Sequence, residues 1–272
     1  AAVTLALTAG RAVHCPRGDR AIDWAAQLVA CAGLGLGTDA LIALGSGSVA
    51  HASWSAAGAL AAGTVFTVLE RRSANPVLVP AMLRARGMRS ALLAGAAVNF
   101  TMTGVLFVLP LLFQQTLHLT PLETGMAFLP MTLPFAFNPL LTGRIVAKAG
   151  PRSPVMAGLG LLTAGALVLG GAVLTGSAYP VIAIGLVCTG FGVSFALPAL
   201  VTTVITTAPE GTAGAAGGLL NAIRQIGATL GVAVMGAFVT VGNTGPDHDT
   251  AYALLLPAAI CAAAGFGVSR RK

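Results

Sequence analysis

Long unbroken apolar runs, set apart by short clusters of Gly, Pro, Ser and basic residues, divide the chain from end to end. The runs are continuous and do not alternate with a period of two, which predicts helices and argues against a membrane barrel. A hydrocarbon core of about 30 Å is crossed by roughly 20 helical residues. By that ruler eight spans are predicted: Trp24 to Leu44, Ala50 to Leu69, Ala91 to Thr116, Leu122 to Val146, Val155 to Leu174, Tyr179 to Thr206, Gly214 to Val241 and Ala251 to Val268. Breaker chemistry marks the connections, among them Gly45-Ser46-Gly47-Ser48, Leu119-Thr120-Pro121, Gly150-Pro151 and Gly242-Asn243-Thr244-Gly245-Pro246.

Composition sharpens this into a bilayer protein. Of 272 residues, 56% are hydrophobic and 8% charged, whereas a soluble domain carries about 25% charged residues. The expected fold class is an all-α polytopic membrane helix bundle, with the lipid bilayer as its partner. Most soluble enzyme classes, a disulfide-stapled secreted domain and a disordered tail are excluded. The net charge of +7 comes from bases clustered between the apolar runs, with no basic stripe or stacking platform for nucleic acid. Arg11, Arg17 and Arg20, then Arg71, Arg72, Arg84, Arg86 and Arg89, then Arg144, Lys148 and Arg152, and finally Arg270, Arg271 and Lys272 all fall on one side of an eight-span chain. The opposite loops hold Glu123, Asp247 and Asp249. The positive-inside rule makes the basic side cytoplasmic, so the chain is expected to be a multi-pass protein of the cell membrane with both chain ends in the cytoplasm.

Three stretches together carry a family resemblance. They are Arg20 to Gln27; Asn99 through Leu109-Pro110-Leu111, Pro121 to Gly125, Leu129 to Thr132, Gly143-Arg144 and Gly150-Pro151-Arg152; and Pro209 to Gly214 followed by Gly217 to Asn221, Arg224-Gln225 and Gly227. In this order the chain resembles the fourteen-span drug/proton antiporters of the major facilitator superfamily. The resemblance implies that residues 1–23 end a preceding span and form a cytoplasmic linker, and that 24–70 are the two extra helices of that family. It also implies that 71–90 form a second cytoplasmic linker and that 91–272 are the C-terminal six-helix half. A missing N-terminal half, which carries the family's proton-coupling acids, is then a required partner. Alternating access would use spans three to five and six to eight as inverted repeats. The proton gradient would supply energy, with no cofactor.

Candidate residues follow from polar groups where hydrocarbon is expected. Arg224 costs about 2.5 to 3.5 kcal/mol inside a span unless it faces a partner or a water-filled cavity, or snorkels to the interface. With Asn221, Gln225 and Ala228 it forms a stripe at helical spacing, a candidate gate. The loop holding Gly143, Arg144, Lys148, Gly150 and Arg152 resembles the superfamily's short cytoplasmic gating loop, although Ala147 and Pro151 depart from its pattern; its bases also serve topology and lipid contact. Asn99, Thr103, Phe107, Pro110 and Gln114 recur along one face of the third span. They form either a substrate wall or interhelical glue. Met131, Thr189 and Thr203 join that wall as candidates, beside Met126 and Phe195. Asp39 is the acid well inside a predicted span, where it either carries a proton or reaches interfacial water.

Gly214/Gly218 and Gly227/Gly231 are small-xxx-small pairs for close helix crossing. Cys15, Cys31, Cys188 and Cys261 lack CxxC spacing, and His14, His51, His118 and His248 lack metal-ligand spacing. No metal site, phosphate loop or hydrolase elbow is expected, and no enzyme. The expected function is proton-coupled export of a small amphipathic substrate. The alternatives are a superfamily nutrient or metabolite transporter, and an inactive remnant or a component needing a separately encoded N-terminal half.

Overall fold

Hydrocarbon leaves backbone N–H and C=O groups no solvent partner, so each apolar run closes its own hydrogen bonds as a helix. The computed structural model describes residues 24–45, 47–72, 85, 87–241 and 246–270. In chain order the described helices are α1 (Trp24–Gly45), α2 (Val49–Arg72), α3 (Met88–Gln115), α4 (Pro121–Ala127), α5 (Leu129–Ala149), α6 (Arg152–Leu174), α7 (Tyr179–Thr207), α8 (Ala213–Val241) and α9 (Pro246–Ser269). No strand occurs among the described residues. Arg11, Cys15, Arg17, Arg20, Arg84, Arg86, Arg271 and Lys272 lie outside them, as do residues 1–23 and most of the 71–90 linker.

Seven helices are long and apolar enough to cross a membrane, α1, α2, α3, α6, α7, α8 and α9. The predicted span Leu122 to Val146 differs: it is two helices, α4 and α5, parted at Phe128. Pro130 has no N–H to continue the ladder, and the Phe128 N–H closes a tighter turn on the Gly125 carbonyl at 3.2 Å. Pro134 and Pro139 inside α5, with Arg144 and Lys148 near its end, lower its apolarity further. Thr120 caps α4 in a reciprocal box with Glu123. The backbone N–H of Thr120, then its hydroxyl, hold the Glu123 carboxyl below its ordinary range. That stabilisation is therefore present at neutral pH and is lost as pH falls through the depressed value.

Helices α3 and α5 to α9 form one bundle, in which α6 packs on α7 and α9, α3 on α8 and α9, and α5 on α7. Its core has two regions. Met88, Leu92, Leu159, Leu200 and Val204 fill one end; Leu109, Phe113, Leu169, Leu186 and Leu254 fill the other. Helices α1 and α2 pair with each other and meet the bundle through α8. Trp54 is 80% exposed, Leu60 73% and Leu140 75%; such surfaces belong against hydrocarbon or another helical surface. Gly87, Ser90, Arg152, Thr203 and Val268 line one small cleft, so the starts of α3 and α6 and the ends of α7 and α9 share the basic end.

Glycine sets the closest helix approaches. A Cβ on Gly158 would lie 2.6 Å from the Gly192 carbonyl, and one on Gly192 would lie 2.8 Å from that of Gly158. Gly227 and Gly231 of α8 rest against the backbone of Ala96 and Phe100 in α3, whereas Gly214 and Gly218 have nothing within 4 Å of an added Cβ. The second small-residue pair makes a close crossing within this chain and the first does not. Gly231→Ala should therefore destabilise the purified protein by about 1 to 3 kcal/mol, as overpacking does, while Gly214→Ala is neutral. Thermal melts of both variants in detergent check this, and equal melting points would contradict it.

Candidate functional site

The two polar stripes predicted on the third and seventh spans meet each other. Arg224 on α8 donates from Nε to Oδ1 of Asn99 on α3 at 3.2 Å. Asn99 is buried, so a desolvated amide oxygen and a half-buried guanidinium satisfy one another. The same turn makes room for the arginine stem, because a Cβ on Gly95 would lie 3.2 Å from Arg224 Cγ. One turn further on, the Thr103 hydroxyl donates to its own-helix Asn99 carbonyl at 2.7 Å and to the Ala228 carbonyl of α8 at 3.0 Å. Phe107, at the edge of exposure, rests its ring beside Gly236.

The other predicted residues divide among the helix seams, the basic end and, for Gln114, the opposite end of α3. Gln225 is exposed and lines a cleft of about 200 Å³ against Gly33 and Thr38 of α1, while Asn221 is exposed near the start of α8. Met131 is buried, its backbone tight against Gly190, and Thr189 is buried against Gly165 and donates to the Gly185 carbonyl. Both sit inside the packing of α7 with its neighbours. Gln114 is exposed at the end of α3. Thr203 shares the basic-end cleft with Arg152, which also donates to the Ser269 carbonyl at 2.7 Å and so binds the carbonyl end of α9. Arg144 and Lys148 are exposed, Gly143 has open space, and Gly150 takes φ 78° where the chain leaves α5.

Asp39 gains partners that sequence spacing had not brought to it. Its Oδ2 lies 2.8 Å from His51 Nε2 and accepts from Ser55 Oγ at 2.5 Å, both residues on α2. Ser55 is buried between the two helices, while Asp39 and His51 are about half exposed. Two further groups were not foreseen as groups, although Phe195 was a candidate for the cavity wall. Asn138 on α5 donates to Ser194 of α7 at 3.0 Å, and Thr142 donates at 3.4 Å to the Ser194 carbonyl, which Pro198 cannot engage four residues on. Phe137, Phe191 and Phe195 form a run of ring contacts at 5.9 and 6.2 Å. The i, i+4 spacing of the two α7 rings and an Asn lodged between two prolines were the available signals. Among the described residues no three His, Cys, Asp or Glu side chains gather as a metal site.

The family model described as Major Facilitator Superfamily matches residues 25–232 and 91–269. The chain belongs to the major facilitator superfamily. It is 35% identical over 173 residues to the multidrug resistance protein Stp of Mycobacterium tuberculosis, covering 64% of this chain and 32% of that protein. It is 33% identical over 198 residues to a methylenomycin A resistance protein of Streptomyces coelicolor, covering 72% and 41%. With the drug efflux pump JefA of M. tuberculosis it shares 32% identity over 221 residues, covering 80% and 43%. The chain thus spans a third to under half of the length of these relatives.

As a major facilitator protein the chain is a multi-pass membrane protein, and its α3–α8 seam holds the half-buried charge of Arg224. Asn99 and Arg224 should behave as one unit there. In a double-mutant cycle, Asn99→Ala and Arg224→Ala should couple by about 0.6 to 1.7 kcal/mol, the range for hydrogen bonds between membrane helices. Unfolding of the purified protein measures the coupling, and additive effects of the two changes would contradict the pairing.

Proposed function

We propose that this chain is the C-terminal portion of a fourteen-span, proton-coupled exporter of small amphipathic compounds, with its basic end in the cytoplasm. It is a carrier and not an enzyme, and it works with an N-terminal half across a central path. The observation that carries the reading is Arg224, a cation kept inside a span and met by Asn99 of a second helix. Intramembrane ionisable groups are costly and mark transport paths. The aromatic run of Phe137, Phe191 and Phe195 and the apolar surface around it suit a compound with a large hydrophobic body. The relatives' names, a drug efflux pump and resistance proteins to several compounds, point the same way. A nutrient carrier would need charged groups paired for a specific polar solute, and the group that meets Arg224 is the neutral amide of Asn99.

In this reading Arg224 and Asn99 hold α3 and α8 together along the path, and the last turns of α5 from Gly143, with the Gly150–Pro151 turn into α6, guard the cytoplasmic end. Asp39, with His51 and Ser55, is the candidate proton site within the chain. The test uses the full-length protein in everted vesicles with an acidified lumen, and follows uptake of a fluorescent amphipathic dye added outside. Dye movement should stop on addition of a protonophore. Arg224→Ala should lower the initial rate at least about tenfold, the loss of some 1.4 kcal/mol of stabilisation along the path, with membrane insertion unchanged. Asp39→Asn should flatten the pH dependence of the rate, and the 272-residue chain alone should move no dye. Movement insensitive to protonophore would overturn the proton coupling, and full activity of Arg224→Ala would overturn the assigned path.

A further inference from the structure

At the end of the bundle opposite the bases, a cleft of about 720 Å³ opens between the end of α3, the short α4 and the turn joining α6 to α7. It lies 13 to 17 residues along α3 from Asn99, about 20 to 25 Å of helix, and shares no residue with the α3–α8 seam. Its volume falls within the range of about 300 to 1,000 Å³ typical of small-molecule sites.

Leu112, Met126, Val173 and Ile182 furnish an apolar wall. Its polar groups are mostly engaged with the protein itself. Tyr179 donates its hydroxyl to the Ala127 carbonyl at 3.0 Å, and the Ser177 hydroxyl pairs with that of Thr175 at 2.6 Å. Glu123 is the charged residue of the lining, which contains no Lys, Arg or His. One carboxylate oxygen, Oε2, takes both hydrogen bonds from Thr120, so the carboxylate is fixed in place while its negative charge is uncompensated by any base of the cleft. The backbone is also committed to this shape. His118 adopts a left-handed conformation (φ 52°), which a non-glycine residue seldom takes, and the leucines on either side of it, Leu117 and Leu119, both line the cleft.

We infer that this cleft is a binding site for an amphipathic organic monocation, its apolar body against Leu112, Met126, Val173 and Ile182 and its charge beside Glu123. The ligand class follows from charge complementarity: an apolar cavity with one fixed anion favours a cation carrying a bulky hydrocarbon body over an anion or a neutral compound. The site stands apart from the path assigned to Arg224, so it does not depend on export being the activity.

Glu123→Gln is the informative variant, because glutamine also serves at the third position of a capping box and so keeps α4 capped while removing the charge. Equilibrium binding is measured with purified full-length protein in lipid nanodiscs, with empty nanodiscs as background. The probes are tetraphenylphosphonium and neutral triphenylphosphine oxide. Glu123→Gln should weaken tetraphenylphosphonium binding about three- to tenfold, as expected for a charge pair near the surface, and leave the neutral probe within twofold. Met126→Trp, which fills the cleft from an exposed position, should weaken both. Unchanged tetraphenylphosphonium affinity in Glu123→Gln, or equal loss of both probes in that variant, would overturn the site. Loss of dye movement in the vesicle assay with this binding intact would instead count against the export reading alone.

Discussion

Two helices in hydrocarbon gain little by burying leucine against leucine, because the lipid tails they leave are just as apolar. What remains is backbone-close packing, and it depends on glycine. Gly158 and Gly192 face each other's carbonyls across the α6–α7 crossing, Gly165 and Gly185 repeat the arrangement one to two turns away, and Gly227 and Gly231 lay α8 on α3. Each contact removes a side chain from between two helices so that dispersion contacts form along the whole crossing. The leucines of the core then fill what the glycines have defined. This explains a chain with 35 glycines in which most of the long helices stay unbroken.

The same constraint decides where polar groups sit. A guanidinium or amide between helices has no water to fall back on, so it survives only beside a partner. Arg224 and Asn99 meet in the seam that Gly227 and Gly231 hold close, and Thr103 reaches the Ala228 carbonyl because the two backbones are near enough for one hydroxyl to bridge them. Asn138, Thr142 and Ser194 do the same between α5 and α7, where Pro198 leaves a carbonyl without its helical donor. Close packing thus permits the polar contacts that give the seams their specificity.

Span positions were legible because they depend on one-dimensional quantities, length and apolarity, and seven helices agree with the reading within a few residues at each end. The α4–α5 break was present as Pro130 and Gly125, yet apolarity continues through it, so a ruler that measures only apolarity runs past it. Residue partnerships were less legible. The stripe on each helix could be drawn from spacing, but two stripes on different helices carry no information about whether they face each other; that depends on crossing angle and register. Asp39 shows the same limit, since His51 is twelve positions away on another helix. Met131 and Thr189 fell in a seam and not on an open face because the small residues opposite them, Gly190 and Gly165, accept their bulk.

The pair α1–α2 shows how far the glycine rule extends beyond the six-helix bundle. Gly33 faces Ala62 and Gly58 faces Leu36, so these two helices approach through small residues on one side and a flexible leucine on the other. Their contact with the bundle runs through α8 and leaves an apolar cleft of about 360 Å³ between Phe66, Leu34 and Ile223. A seam with such a gap has fewer dispersion contacts per turn than the α6–α7 crossing, because an atom facing a void loses its attraction on that side. The hairpin is therefore tied more firmly to itself, through Ser55 and Asp39, than to its neighbour. Two helices bound in that way can shift as a unit against α8 without unpacking the core, whereas α3 and α8 cannot separate without exposing the carbonyls of Ala96 and Phe100 and parting Arg224 from Asn99.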